Sequence, residues 1–157
     1  MAGTVGRWTV TNASSLTQQF YLAHEGTFVD ETVNSIGSVS DGTSNTALFA
    51  EYVGAFLNGN SGPRVRSMSW MGSGGFPSYY SVVDMSDAGT ARYSYGSMHP
   101  AILNMAFADG SVHAVRKPNA LPQSAAEIIN RANTGWDALQ RLTGKADGDV
   151  PNSALTN

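Results

Sequence analysis

The sequence has no cysteine. That excludes disulfides, thiolate zinc sites and cysteine nucleophiles. Charge is scarce as well: Asp, Glu, Lys and Arg make up 13% of the chain, against about 25% in ordinary globular proteins. Nine Lys plus Arg face twelve Asp plus Glu, a formal charge of −3, and Lys117 and Lys145 are the only lysines. So few cations build no polybasic face, which argues against nucleic-acid binding by phosphate neutralisation. Long apolar runs are missing too. Ala47 to Ala50 and Tyr52 to Leu57 fall far short of the roughly 20 residues a membrane helix needs. Met1 to Arg7 holds no apolar signal core, so the expectation is either an intracellular protein or a piece of a longer one.

What is present is Gly, Ser, Thr and Asn, with 17 glycines in 157 residues. This composition suits a β-rich, turn-rich extracellular protein, and the length suits one domain with its own core. Strand candidates are Arg7 to Thr11, Gly26 to Val29, Ala47 to Val53 and Val65 to Met71. Gln18 to Ala23 fits a strand or a short helix, and Ile36 to Ser40 leads into a turn at Asp41-Gly42. Asn58 to Pro63 and Gly72 to Gly75 read as loops by composition. Trp70, Phe76, Tyr79, Tyr80, Tyr93 and Tyr95 make the middle of the chain aromatic, either to cover a core or to bind glycans.

The strongest local signal follows. Ile102 to Ala108 and Ser111 to Arg116 flank Asp109-Gly110, which predicts a hairpin from about Leu103 to Val115 with a type I′ turn. Ser124 to Glu127 fits a capping box at a helix start. Trp136, Leu139 and Leu142 mark one face of a second short helix, which Gly144 is expected to end as a C′ residue.

Motifs for known chemistries are thin. No Gly-x-Ser-x-Gly elbow accompanies His24, His99 and His113, and these histidines lack zinc-site spacing. His99 and Asp109 face each other across strands in one arrangement, but two ligands are not a site. Asp84, Asp87, Asp147 and Asp149 lack the calcium-loop pattern and read as solvated loop acids. Glu51 and Asp109 sit beside apolar runs, yet nothing in their spacing makes them a glycosidase pair. The reading from residues alone is a β-rich globular domain without an enzyme's signature.

Three stretches go further together. Asp41-Gly42-Thr43-Ser44-Asn45-Thr46 runs through Ala47 to Ala50 into Glu51. About fifty residues on, Ser97-Met98-His99-Pro100 leads to Asn104 and then to Phe107-Ala108-Asp109-Gly110-Ser111-Val112, with nine residues between His99 and Asp109. Trp136, Leu139, Leu142 and Asp147-Gly148 close the pattern. Residues 26 to 150 thereby resemble a planctomycete-type family, a domain of unknown function among prepilin-like proteins, marked by an "H-X9-DG" element. Two departures stand out: the family's N-terminal hydrophobic helix is missing, and its Gly-rich ending is replaced by Asp147 to Pro151.

The resemblance implies a pilin-like α+β head over residues 1 to 157, with an antiparallel sheet, long loops and short C-terminal helices. It implies a structural subunit of a cell-envelope filament or secretion pseudopilus, periplasmic or extracellular, that is not an enzyme. Its partners would be further copies or other pilin-like subunits, its membrane contact an upstream helix. The rival reading is a surface module binding a glycan or other ligand through the middle aromatics. The motif residues are Asp41, Gly42, Asn45, Glu51, His99, Asp109 and Gly110. They form either a hydrogen-bond network fixing loops against the sheet or a calcium or ligand site. Asp41, Glu51, Asp84, Asp87 and Asp109 are the calcium candidates in a protein otherwise expected to need no cofactor. His99 is expected to be structural, close to the Asp41 to Thr46 loop.

Overall fold

The structure, a computed structural model, describes residues 2–5, 24–28, 33–53, 55–58, 61–66, 75–78, 82, 94–118 and 134–148. The strand expected at Arg7 to Thr11, the segment Gln18 to Ala23 and the helix opening at Ser124 lie outside these residues. So do Trp70, Tyr79, Tyr80, Tyr93, Asp84, Asp87 and Asp149.

The described elements make an α+β arrangement. Strands β1 (Ala2–Val5), β2 (Ala47–Ala50), β5 (Gly75–Pro77), β6 (Ile102–Phe107) and β7 (Val112–Arg116) form one sheet in the order β5-β1-β2-β6-β7. Neighbours pair antiparallel except β1 with β5, which are parallel. Strands β3 (Ala55–Asn58) and β4 (Ser61–Arg66) form a separate antiparallel ribbon. Helix α1 spans Thr134–Thr143.

Strand β6 carries the core because its side chains alternate. Leu103, Met105 and Phe107 are buried, and Ile102, Asn104 and Ala106 lie on the other side of the pleat. In β2 the alternation is broken by a register shift between Ala47 and Phe49, so Ala47 and Ala50 are the buried pair. Helix α1 contributes Ala138, Leu139 and Leu142 to the same cluster, joined by Tyr95, Val82 and Val115. Full burial of one such leucine contributes roughly 2 kcal/mol. Gln140 is also fully buried, and its polar atoms are satisfied: Nε2 donates to the Ser78 carbonyl (3.0 Å) and Oε1 accepts from Ser78 Oγ (2.5 Å). This reciprocal pair fixes the helix to the end of β5.

Several expectations need correction. The hairpin is present with Leu103 opposite Val115, but the turn is not type I′. Gly110 has φ 87, whereas Ala101 is the only non-glycine residue with positive φ among the described residues, so Asp109 keeps a negative φ. Gly110 N–H donates to the Phe107 carbonyl (3.0 Å) and Phe107 N–H to the Ser111 carbonyl (2.9 Å). That is a three-residue loop with Gly110 at the left-handed bulge position. Asp109 Oδ1 accepts from Ser111 N–H (2.8 Å), a side-chain turn that selects negative φ at Asp109.

Gly144 does not have the positive φ of a C′ cap. Its N–H still donates to Gln140 O (2.9 Å), and a Cβ there would run into the Asp147 carboxylate. Close packing explains that glycine.

Ser61 to Pro63 is strand, not loop. Between the pairs Phe56–Arg64 and Asn58–Ser61, one residue of β3 (Leu57) stands against two of β4 (Gly62 and Pro63), so Gly62-Pro63 falls in a bulge, where proline is tolerated. Residues 24–28 form a bend rather than a strand. Their carbonyls at Glu25 and Thr27 accept from Lys145 N–H (2.9 Å) and Asn34 Nδ2 (2.7 Å) rather than from a ladder. Ile36–Ser38 is a single 3₁₀ turn. Tyr95 is wholly buried in the core.

Candidate functional site

Two polar clusters and the hairpin tip hold the motif residues. The first forms where β2 runs out beside the start of β6. Glu51 N–H donates to Asn104 O (3.3 Å), which carries the β2–β6 pairing one residue past the strand. The Glu51 carboxylate then faces Asn104: Oε2 accepts from Asn104 N–H (2.8 Å) and Oε1 from Asn104 Nδ2 (3.2 Å). His99 Nε2 stands 3.6 Å from Oε1, with the imidazole about half exposed and the carboxylate less so. Burial pushes the Glu51 pKa up, but hydrogen bonds from Asn104 N–H, Ser97 and the Asn104 side chain, together with the His99 charge, outweigh it. The carboxyl sits below its ordinary value and stays ionised.

The Ser97 to Ala101 loop is fastened over this carboxylate. Glu51 O accepts from Gly96 N–H (3.0 Å), Ser97 Oγ from His99 N–H (3.0 Å), and Ser97 O from Lys117 Nζ (2.9 Å). Ile102 N–H donates to Pro100 O (2.8 Å) across Ala101, whose φ is 59. This is a tight three-residue turn in a backbone region that a residue with a Cβ rarely adopts. It is held by Lys117 N–H donating to Ala101 O (2.8 Å).

The second cluster ties the Asp41 loop to the chain's far end. Asp41 Oδ2 accepts from Asp147 N–H (2.7 Å) and Oδ1 from Gly148 N–H (3.0 Å). Asn45 Nδ2 donates to Asp41 O (3.0 Å), and Gly42, with φ 96, receives Asn45 N–H on its carbonyl (2.9 Å). The Asp147 carboxylate is buried, 3.7 Å from the buried His24 Nε2, so Asp147 is not the solvated acid its loop composition suggested. Beside this pair, Lys145 N–H donates to Glu25 O (2.9 Å), which ties residues 144–148 to residues 24–28.

The hairpin tip rests on the same loop through Ala108 N–H to Thr46 O (2.9 Å) and Asp109 N–H to Thr43 O (3.1 Å). Hydrogen bonds from the Ser111 side chain and N–H hold the Asp109 carboxyl below its ordinary value, with the His113 charge a smaller influence. Ser111 Oγ lies 2.6 Å from Asp109 Oδ1 and 2.9 Å from His113 Nε2. An ionised carboxylate only accepts, so the hydroxyl proton points to Asp109 and the imidazole donates to Ser111. That order is opposite to the one a serine nucleophile requires.

The motif residues therefore divide. Glu51 and His99 meet; Asp41, Gly42 and Asn45 form a second group; Asp109 and Gly110 shape the hairpin tip. His99 lies against Glu51, not against the Asp41 to Thr46 loop and not across from Asp109, because the β2–β6 pairing brings Glu51 to the start of β6 while Asp109 stands at its end. Asn104 and Ser97 were in the motif but not among the residues singled out, although a polar residue inside an apolar strand run was a signal for Asn104. Among the described residues no group of three or more His, Asp or Glu is placed to hold a metal ion. No helix among them is long and apolar enough to cross a membrane. Comparison with known proteins finds no matching family model, curated protein or solved structure.

Proposed function

We propose that the chain is the pilin-like head of a prepilin-type subunit, built into a cell-envelope filament or secretion pseudopilus, with a structural rather than enzymatic role. One observation supports this reading above the others. The polar motif residues are engaged in holding segments together: Glu51 joins β2, β6 and the Ser97 loop, and Asp41 joins its loop to residues 147 and 148. The Ser97 hydroxyl, which is hydrogen-bonded to the ionised Glu51, also accepts from His99 N–H (3.0 Å), so it takes part in the same fastening. The shared sequence pattern then marks a fold that has to survive outside the cell without disulfides.

The test is to recover the native protein from the source cells. A processed, N-methylated apolar N-terminus upstream of residue 1, together with the protein in sheared surface filaments seen by electron microscopy, supports the proposal. An unprocessed native chain found only in the soluble fraction overturns it. In the same reading, residues 1–157 alone are a monomer or weak oligomer without hydrolase activity, and light scattering checks this.

A further inference from the structure

Lys145 has an environment beyond that of an ordinary ion pair. Its Nζ lies 2.6 Å from Glu25 Oε1 and 2.9 Å from Asn34 Oδ1. The lysine side chain is 14% exposed and that of Glu25 30%. The amide orientation is fixed, since Asn34 Nδ2 donates to Thr27 O (2.7 Å), so the carbonyl faces the lysine. The lysine is held from its backbone as well: its N–H donates to Glu25 O (2.9 Å), and its carbonyl accepts from Asp41 N–H (3.4 Å). An amine, a carboxamide carbonyl and a carboxylate thus converge from segments 111 and 120 residues apart in sequence.

We propose that Lys145 and Asn34 form an intramolecular isopeptide bond, with Glu25 carrying the protons. Glu25 takes a proton from the Lys145 ammonium, and the freed lone pair of Nζ adds to Asn34 Cγ. The new Nζ–Cγ bond gives a tetrahedral centre that carries both nitrogens, so Nδ2 comes within reach of the carboxyl that touches Nζ. The Cγ–Nδ2 bond breaks as Glu25 returns the proton. Two protons in all pass from Nζ to Nδ2, ammonium leaves, and Glu25 ends as the carboxylate it began as. No oxidant or other co-reactant is required. The fold holds the amine in contact with the amide, Nζ 2.9 Å from Oδ1, so an intramolecular step replaces a slow bimolecular encounter, and a lysine amine beside a base is an activated nucleophile. The bond would close the chain across the region that a cysteine-free sequence cannot close with a disulfide.

The purified 157-residue chain, denatured and weighed intact, is expected to lack the mass of one ammonia. A proteolytic map is expected to contain a branched peptide joining residues 34 and 145. Glu25→Gln and Lys145→Arg are expected to restore the full mass, and both to migrate more slowly than the cross-linked chain in a denaturing gel. A wild-type chain of full mass after prolonged incubation overturns the proposal. So does an ammonia loss that maps to Asn34 alone, as a cyclic imide with Ser35. Both readings come from the wild-type protein and hold even if a variant fails to fold. The result is independent of filament assembly, which electron microscopy decides separately.

Discussion

Replacing Gly110 isolates a backbone cost from a packing cost. The residue has φ 87, and a Cβ built on it meets nothing within 4 Å. Alanine there therefore adds no clash, and the loss is the left-handed strain alone, roughly 1–2 kcal/mol. Valine adds the stiffness of a β-branched side chain and is expected to cost about 2 kcal/mol or more. Asparagine, which tolerates this region, should lose least. For a chain of this size each kcal/mol lowers Tm by about 2–4 °C, so thermal unfolding resolves the series. The turn type can be separated in the same assay. In the observed loop Asp109 has negative φ and accepts two hydrogen bonds from Ser111, so Asp109→Gly should destabilise. In a type I′ turn the same change would relieve strain and stabilise. A stabilised Asp109→Gly, or equal melting for Asn, Ala and Val at position 110, would refute the assigned loop.

Other substitutions probe the two clusters. Asp41→Ala removes the acceptor of the Asp147 and Gly148 N–H groups; with Gly148 open to water, the loss should be about 2 kcal/mol, read by urea unfolding. Gly144→Ala drives a methyl into the buried Asp147 carboxylate and should cost about 1–3 kcal/mol, with melting again the measure. His99→Ala removes a half-exposed partner 3.6 Å from Glu51 and should cost less than about 1 kcal/mol, checked by the same melting curve. Glu51 has a lowered pKa in the fold, so its unfolded form binds more protons on the acid side. Its stabilisation is complete above the unfolded-state pKa and is lost as pH falls through the folded one. Stability against pH should accordingly be flatter in Glu51→Gln across that window.

The β6–β7 hairpin was legible because its signal is local. Apolar residues alternate on β6, and Asp-Gly punctuates the run. The turn type was not, because a bond from the Asp109 side chain to Ser111 N–H decides φ, and dipeptide chemistry does not contain it. Trp136, Leu139 and Leu142 marked the buried face of α1 for the same local reason. The grouping of the polar residues was only half legible. Glu51 and His99 are recognisable as motif members, but their meeting depends on pairing β2 with β6, a long-range event. Asp147 looked like a solvated acid because its neighbours are loop formers, but its carboxylate is buried 3.7 Å from His24, which is near the other end of the chain. The ribbon strand through Pro63 was hidden because a bulge admits a residue that composition assigns to loops.

The central claim is that the Glu51 cluster is a latch and not a reactive site. A double-mutant cycle of Glu51→Ala and Asn104→Ala, read by urea unfolding at neutral pH, tests it most directly. With a partly exposed carboxylate, each single change should destabilise by about 1–2 kcal/mol. The pair should lose less than the sum, with a coupling near 1 kcal/mol through the bond from Asn104 Nδ2 to Glu51 Oε1. A gain in stability for either single variant, the behaviour of a strained functional site, or strict additivity of the two, would contradict the account.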